Sequence, residues 1–271
     1  MDLPRPADDR EATGTARRMT VLALAAMPLV RPGDDLATLT LGALAAGGER
    51  LADGDVLVLA QKIVSKAEGR IVDLATVVPG PRAVALAAET DKDARVVELV
   101  LRESRAVVRH RKGVLVVEHR SGVVLANAGI DASNVAPADG EGGERVLLLP
   151  ADADAAAAAL RARIRALTGA DIAVVINDSL GRAWRNGTVG AALGSAGIDA
   201  LKDLNGRPDL FGRPLKATQV GLADELAAAA SLVMGQADEG RPVVLIRGAP
   251  YGPGEGAARD LVRDPAQDLF R

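Results

Sequence analysis

Cysteine is absent from all 271 residues, which excludes disulfides, thiolate nucleophiles and Cys-ligated zinc. Histidine is almost absent as well. His110 and His119 are the whole supply, too few for a His-rich metal centre, and neither has the neighbours of a hydrolase triad. A bound metal would therefore sit on oxygen ligands, which favours Mg²⁺ or Mn²⁺. With one Trp, one Tyr and two Phe, the core has to be built from Ala, Val, Leu and Ile in close contact. Charge is nearly balanced, 33 basic against 36 acidic residues for a net of -3, and no basic block interleaved with aromatics follows a nucleic-acid backbone. No run approaches the roughly 18 apolar residues of a membrane span. The Lys-Ser/Thr phosphate loop and the dinucleotide fingerprint are both missing.

Arg17 and Arg18 precede MTVLALAAM, which has the length of a signal-peptide core, but Pro28 and RPGDDL follow without a small-residue cleavage site. The segment reads instead as a first strand, Met19 to Ala26, of a cytoplasmic protein. Residues 1–18, polar with Pro and Gly, read as a loose arm, and 19–271 as one two-lobed unit.

The pattern beyond it alternates turn chemistry with apolar runs. RPGDD caps a helix over 36–46 that GG ends. DVLVLA and RIVDL read as strands, and 91–103 as a helix with Val96, Leu99 and Val100 on one face. GVLVVE and GVVLA, parted by HRSG, carry a hairpin signal. PADGEGGE (137–144) reads as a loop, VLLLP as a strand, 152–167 as an Ala-rich helix and IAVVIN as a buried strand. The Gly-rich stretch 181–221 reads as irregular, 224–234 as a helix and PVVLIRG as the last strand. Hairpins mixed with helices point to α+β with mixed and antiparallel sheets, the lobes meeting near Gly140 or within 181–221.

Two apolar runs end on a lone carboxylate. VVLANAGIDASNV delivers Asp131 and AVVINDSLGRAWRNG delivers Asp178, each among Asn, Ser and Gly. A strand-end carboxylate at a sheet rim can hold a hard cation and meet a phosphate. Ser179 adds a hydroxyl. For Asp131 and Asn134, three apart, the competing reading is ordinary Asx-turn chemistry. Lys62 and Lys66, four apart, share one face in a helix or a strand, where polyphosphate would relieve their repulsion; a solvated basic face is the alternative. Arg182, Trp184 and Arg185 could hold an anionic, aromatic substrate, or Trp184 could plug the core.

VRPGDDL, QKIVSKAEGR, NAGIDASNV, NDSLGRAWRNG, ADELAAAASLVMGQ and the terminal DLFR, in this order, resemble the coenzyme F420-0:γ-glutamyl ligase family from about Ala26 to Arg271. The resemblance implies a GTP-dependent, GDP-forming ligase that joins L-glutamate to the lactyl carboxylate of F420-0 and can extend a γ-linked tail. It also implies an intertwined homodimer of α+β subunits, with two divalent ions per site and K⁺. By motif position, Asp131, Asp178 and Ser179 resemble metal ligands. Met27, Pro28, Leu29, Val30, Gln61, Lys66 and Asn134 resemble nucleotide contacts, and Lys62 stands as a phosphate stabiliser. Where the family often has Gly-Leu-Pro-Glu this chain has Ala26, Met27, Pro28 and Leu29, and Gln61 stands where Ser is frequent. A metal-dependent nucleotide hydrolase and a non-catalytic GTP-binding module share the same residues; on spacing alone the three readings stay open.

Overall fold

The computed structural model describes residues 17–135 and 144–269. Strand β1 (Thr20–Ala23) is followed by helix α1 (Leu36–Ala46), whose start is set by the Asp35 carboxylate accepting from the amides of Ala37 and Thr38. Strand β2 (Val56–Ala60) runs straight into α2 (Gln61–Ala67), and the short β3 (Ile71–Asp73) follows. Helices α3 (Pro81–Thr90) and α4 (Ala94–Arg102) precede a three-stranded meander, β4 (Ser104–Arg111), β5 (Val114–His119) and β6 (Val124–Ala126). After β7 (Arg145–Leu147) come α5 (Ala153–Thr168), β8 (Ala173–Arg182), β9 (Arg185–Ala196), β10 (Leu201–Asp203), β11 (Gln219–Gly221), α6 (Leu222–Met234) and β12 (Val243–Arg247).

The main sheet has the order β1-β12-β2-β8-β9, and its β2–β8 pair is parallel while its other pairs are antiparallel. Leu57, Leu59, Val174, Ile176 and Leu245 pack on one face against α1, α2 and α5. Val56, Val58, Ala173, Val175 and Val244 pack on the other against α6. Burial on both faces is why these strands read as unbroken apolar runs instead of alternating ones. The architecture is α+β, with the smaller sheets β4-β5-β6, β3-β7 and β10-β11 beside the main one.

Several expectations shift. The first strand covers Thr20–Ala23 rather than Met19 to Ala26, its pairing with β12 running from Thr20–Arg247 to Ala23–Val244 and ending where Leu24 N donates to the Val243 carbonyl at the start of β12. Asp91 belongs to the C-cap of α3, in the left-handed conformation, and α4 starts after its own cap, Asp93, so Val97 rather than Val96 is fully buried. The region 181–221 is not irregular: it holds β9, the longest strand described, and the β10–β11 pair. The arm before Arg17 and residues 137–143 of the expected loop lie outside the described residues.

Glu103, at the end of α4 and 6% exposed, ties the meander to its surroundings. It accepts from Arg70 and Arg120, each at 2.7 Å. Burial alone would push its carboxyl up, but His119, Arg120 and Arg70 outweigh that and hold it at about 2 against an ordinary 4.5. His119 Nε2, 3.8 Å away, is too distant for a hydrogen bond, so the guanidiniums carry the effect. A depressed folded value stabilises above the unfolded one, so this contribution is present above about pH 4.5 and fades towards pH 2. Glu103→Gln should therefore cost about 3 kcal/mol at pH 7 and much less near pH 2, read by urea unfolding at both values. An equal loss at both would show that the charge is irrelevant.

Candidate functional site

β2 stops pairing with β8 at the couple Ala60–Asn177. Asp178 is thus the first residue of β8 beyond its parallel neighbour, at the rim where α2 departs. That is the carboxyl end of both parallel strands, where open sheets commonly bind ligands. Beside it, β9 carries a bulge: Ile176 pairs with Gly194 but Asn177 with Ala192, leaving Leu193 as the extra residue.

Asp131 arrives by another route. After β6 the chain turns through Asn127, Ala128 and Gly129, all at positive φ, and Asp131 then bridges Leu147 of β7. Two successive non-glycine residues in the left-handed region are strain that the surrounding packing has to hold. The Asp131 Oδ2 atom lies 2.7 Å from Lys62 Nζ, and Oδ1 accepts from the Ser133 amide at 2.6 Å. The Asx turn is thus present and uses Oδ1, while Oδ2 is paired with Lys62.

Residues 61–67 form a helix, so Lys62 and Lys66 share a helical face and not a strand's. Lys62 Nζ also donates to Ser133 Oγ at 2.7 Å, and Lys66 Nζ to the Asn134 carbonyl at 2.7 Å. Burial, then the charge of Lys62, lowers the Lys66 pKa, as expected of two neighbouring ammonium groups. The carboxylates are pushed apart. Burial raises Asp131, yet Lys62 and the Ser133 amide outweigh it and its pKa is lowered. Asp178 is raised, first by burial and also by the charge of Asp131, against the opposing Ser179 amide and Lys62.

The end of α6 closes the group. Ser179 Oγ donates to Gln236 Oε1 at 2.6 Å, Gln236 Nε2 donates to Ser231 Oγ at 3.0 Å, and Asn134 Nδ2 donates to the Ala237 carbonyl at 3.2 Å. Gln236 and Ser133 escaped the reading of residue patterns; the one available signal was a polar residue directly after the helix-ending Gly235. Gln61 turns inward, buried, with its carbonyl accepting from Ser65 at 3.0 Å. Met27 and Val30 pack into the core below α1, while Pro28 and Leu29 are exposed. This loop reaches α2 through the Gly33 amide, which donates to the Ala67 carbonyl. Arg182, Trp184 and Arg185 form the tip of the β8–β9 hairpin, away from the cluster, and Trp184 is 82% exposed, so it does not plug the core.

Among the described residues, no three His, Cys, Asp or Glu side chains lie close enough to hold a metal between them. The oxygen donors at this rim are two pairs, Asp131 with Asp178, which feel each other's charge, and the Ser179 hydroxyl with the Gln236 carbonyl, the two joined through the Asn134–Ala237 hydrogen bond. Such a set fits a hard divalent ion of the kind that takes one or two carboxylates and completes its shell with phosphate and water.

Residues 25–248 match the family described as F420-0:Gamma-glutamyl ligase. A protein of Methanothermobacter thermautotrophicus named coenzyme F420:L-glutamate ligase is 47% identical over 255 residues, 93% of this chain and 99% of its own. One of the same name from Methanopyrus kandleri is 46% identical over 246 residues, 89% and 93% of the two chains. A third, from Methanocaldococcus jannaschii, is 44% identical over 219 residues, 81% and 85%. Identity of this depth over nearly the whole length leaves one conclusion: the chain belongs to the F420-0:Gamma-glutamyl ligase family.

Proposed function

We propose that this protein is a ligase forming an amide between L-glutamate and the lactyl carboxylate of F420-0, with GTP converted to GDP, and that it adds further γ-linked glutamates. The relatives' names support the glutamate ligase reading. The observation that carries the nucleotide part is the convergence of Asp131, Asp178, Ser179 and Gln236 with the two lysines of α2.

A carboxylate is a poor acyl donor. Transfer of the γ-phosphoryl group of GTP to it gives an acyl phosphate and GDP; the amine of glutamate then attacks the acyl carbon, and inorganic phosphate leaves as the amide forms. Such transfers depend mostly on positioning and charge neutralisation. Lys62 and Lys66 bind the polyphosphate, exchanging Asp131 and the Asn134 carbonyl for phosphate oxygens. Loop 27–30 and Asn134 hold the nucleoside. Asp131, Asp178, Ser179 and Gln236 hold two Mg²⁺ or Mn²⁺, which when bound neutralise charge on phosphate oxygens. No side chain of the cluster acts as a covalent nucleophile. The same reading includes K⁺ as a further cation, a cytoplasmic location, and an intertwined homodimer of two-lobed subunits. The exposed Leu210, Phe211 and Leu232 support the dimer as apolar surface that a second subunit would cover. No helix among the described residues is long and apolar enough to cross a membrane.

The test is incubation with F420-0, glutamate, GTP and Mn²⁺, followed by mass spectrometry. A ladder in steps of one glutamyl residue is expected. GTP hydrolysis that ignores glutamate would favour a phosphohydrolase, and tight GTP binding without phosphate release a regulatory module. Within this scheme Lys66→Met should raise the KM for GTP about tenfold, the worth of one charge-assisted hydrogen bond, with less change in kcat. A fall in kcat alone would move Lys66 from binding to the transition state.

A further inference from the structure

Beside the oxygen cluster runs a trough that the reaction above leaves unused. Its larger chamber encloses about 350 Å³ over an apolar floor of Val123, Leu149, Leu193 and Val262, with Arg105, Arg120 and Arg259 around it. A second chamber of about 210 Å³ shares Val123, Ala258 and Val262 with the first and is lined by Leu180 and Ala191, with Arg263, Asp268 and Asp224 also in its wall, Asp224 accepting from the Ala192 amide. Ala191 is the cross-strand partner of Asp178, and Leu180 lies two residues beyond Asp178 on the same face of β8. The trough thus lies against the strand pair that carries Asp178, two residues along β8 from that carboxylate, and ends among three guanidinium groups.

Hydrogen-bond accounting says what it suits. Asp154, the buried acid of the larger chamber, already accepts from the amides of Ser195, Ala258 and Arg259 and from the Arg259 side chain. Asp152 is engaged in capping α5. Arg120 gives one N–H group to Glu103, and Arg105 approaches Glu118 only to 3.6 Å; their side chains are 56% and 60% exposed. A guanidinium carries five donors. What the chamber has left over is donor capacity above an apolar floor, the complement of a chain bearing several carboxylates.

We propose that this trough is the subsite for the γ-glutamyl tail of an acceptor that has already received glutamate. Arg105 and Arg120 pair with the free α-carboxylates, while the terminal γ-carboxyl passes Leu180 to reach Asp178. The assignment rests on the ligase reading and adds a residue-level basis for tail extension: the first addition, to an acceptor lacking these carboxylates, does not use the arginines.

The probe is γ-linked triglutamate, titrated into the full chain without nucleotide by calorimetry. Wild type should bind it, with affinity falling as salt rises, and Arg105→Gln/Arg120→Gln should bind at least tenfold more weakly. Arg105→Gln alone, which spares the Glu103 network, should show part of the loss at an unchanged melting temperature. In turnover, kcat/KM for the first glutamate on F420-0 should stay within twofold, and that for the second should drop about tenfold. Absence of triglutamate binding to wild type overturns the proposal, as does an equal loss in both additions. Failure of the ligase reading itself would look different: wild type would give no glutamyl product from F420-0, whatever the calorimetry showed.

Discussion

Asp178→Asn should lower glutamate incorporation by on the order of 10³-fold while leaving the melting temperature unchanged or slightly higher. The substitution keeps the shape and removes the charge. In the folded chain that charge is unfavourable: burial raises the carboxyl, the Ser179 amide and Lys62 only partly counter this, and the charge of Asp131 adds to it. A group held at such a cost gains nothing for the fold. Its amide replacement can still accept from the Ser179 amide, now made at 2.8 Å. The proposed reaction, in contrast, loses one of the two carboxylates in a donor set that contains no third. Activity and stability should therefore separate cleanly, measured as radiolabelled glutamate uptake with saturating Mn²⁺ and as thermal unfolding. Near-normal turnover with Mn²⁺ would remove Asp178 from the assigned role. Loss of both properties together would make it a structural residue.

The same carboxylates show what could be read before any coordinates. Asp178 could be placed at a sheet rim because its apolar run is a strand of the main sheet, whereas Asp131 lies five residues past the end of β6, beyond a turn that the run of apolar residues did not reveal. Lys62 and Lys66 were visible because four-residue spacing survives either secondary structure. Helix α1 was recoverable to the residue from its Asp35 cap and following glycines. The hairpin expected around HRSG is present, with β5 and β6 paired antiparallel. Gln236 was hidden because its role comes from a contact, 57 residues distant, with Ser179. The inward turn of the Gln61 side chain was not legible because nothing in a sequence says which way the first residue of a short helix faces. Trp184 was ambiguous for the opposite reason: scarcity of aromatics argued for a core role, and a hairpin tip overrode it. The dominant error was to treat glycine as a sign of irregular chain. In β9 its absence of a side chain serves packing.

Gly194→Val should destabilise the protein by ~4 kcal/mol or prevent folding altogether, although its site lies in a regular strand. A Cβ at Gly194 would fall inside the van der Waals envelope of the Ala153 carbonyl at the start of α5. Helix backbone cannot yield as a side-chain tip would. Pushing α5 away would also strain Asp154, the next residue, whose carboxylate holds the Ser195 amide at 2.9 Å and the Ala258 amide at 2.8 Å. That carboxylate, with Asp224 accepting from the Ala192 amide at 2.8 Å, occupies donors on the open edge of the sheet. The bulge gives the test its internal comparison. Gly190 and Gly194 would share a face in an unbroken strand, but the extra Leu193 turns Gly190 towards Ala227 of α6 and Gly194 towards α5. Gly190→Ala should thus be damaging through the opposite layer. Gly181→Ala, with nothing within 4 Å of its added carbon, should change stability by less than about 0.5 kcal/mol. Chemical denaturation of the three variants reads the outcome directly. If Gly194→Val unfolds at the same denaturant concentration as Gly181→Ala, α5 does not lie against β9 as described, and the bulge beside Asp178 loses its structural basis.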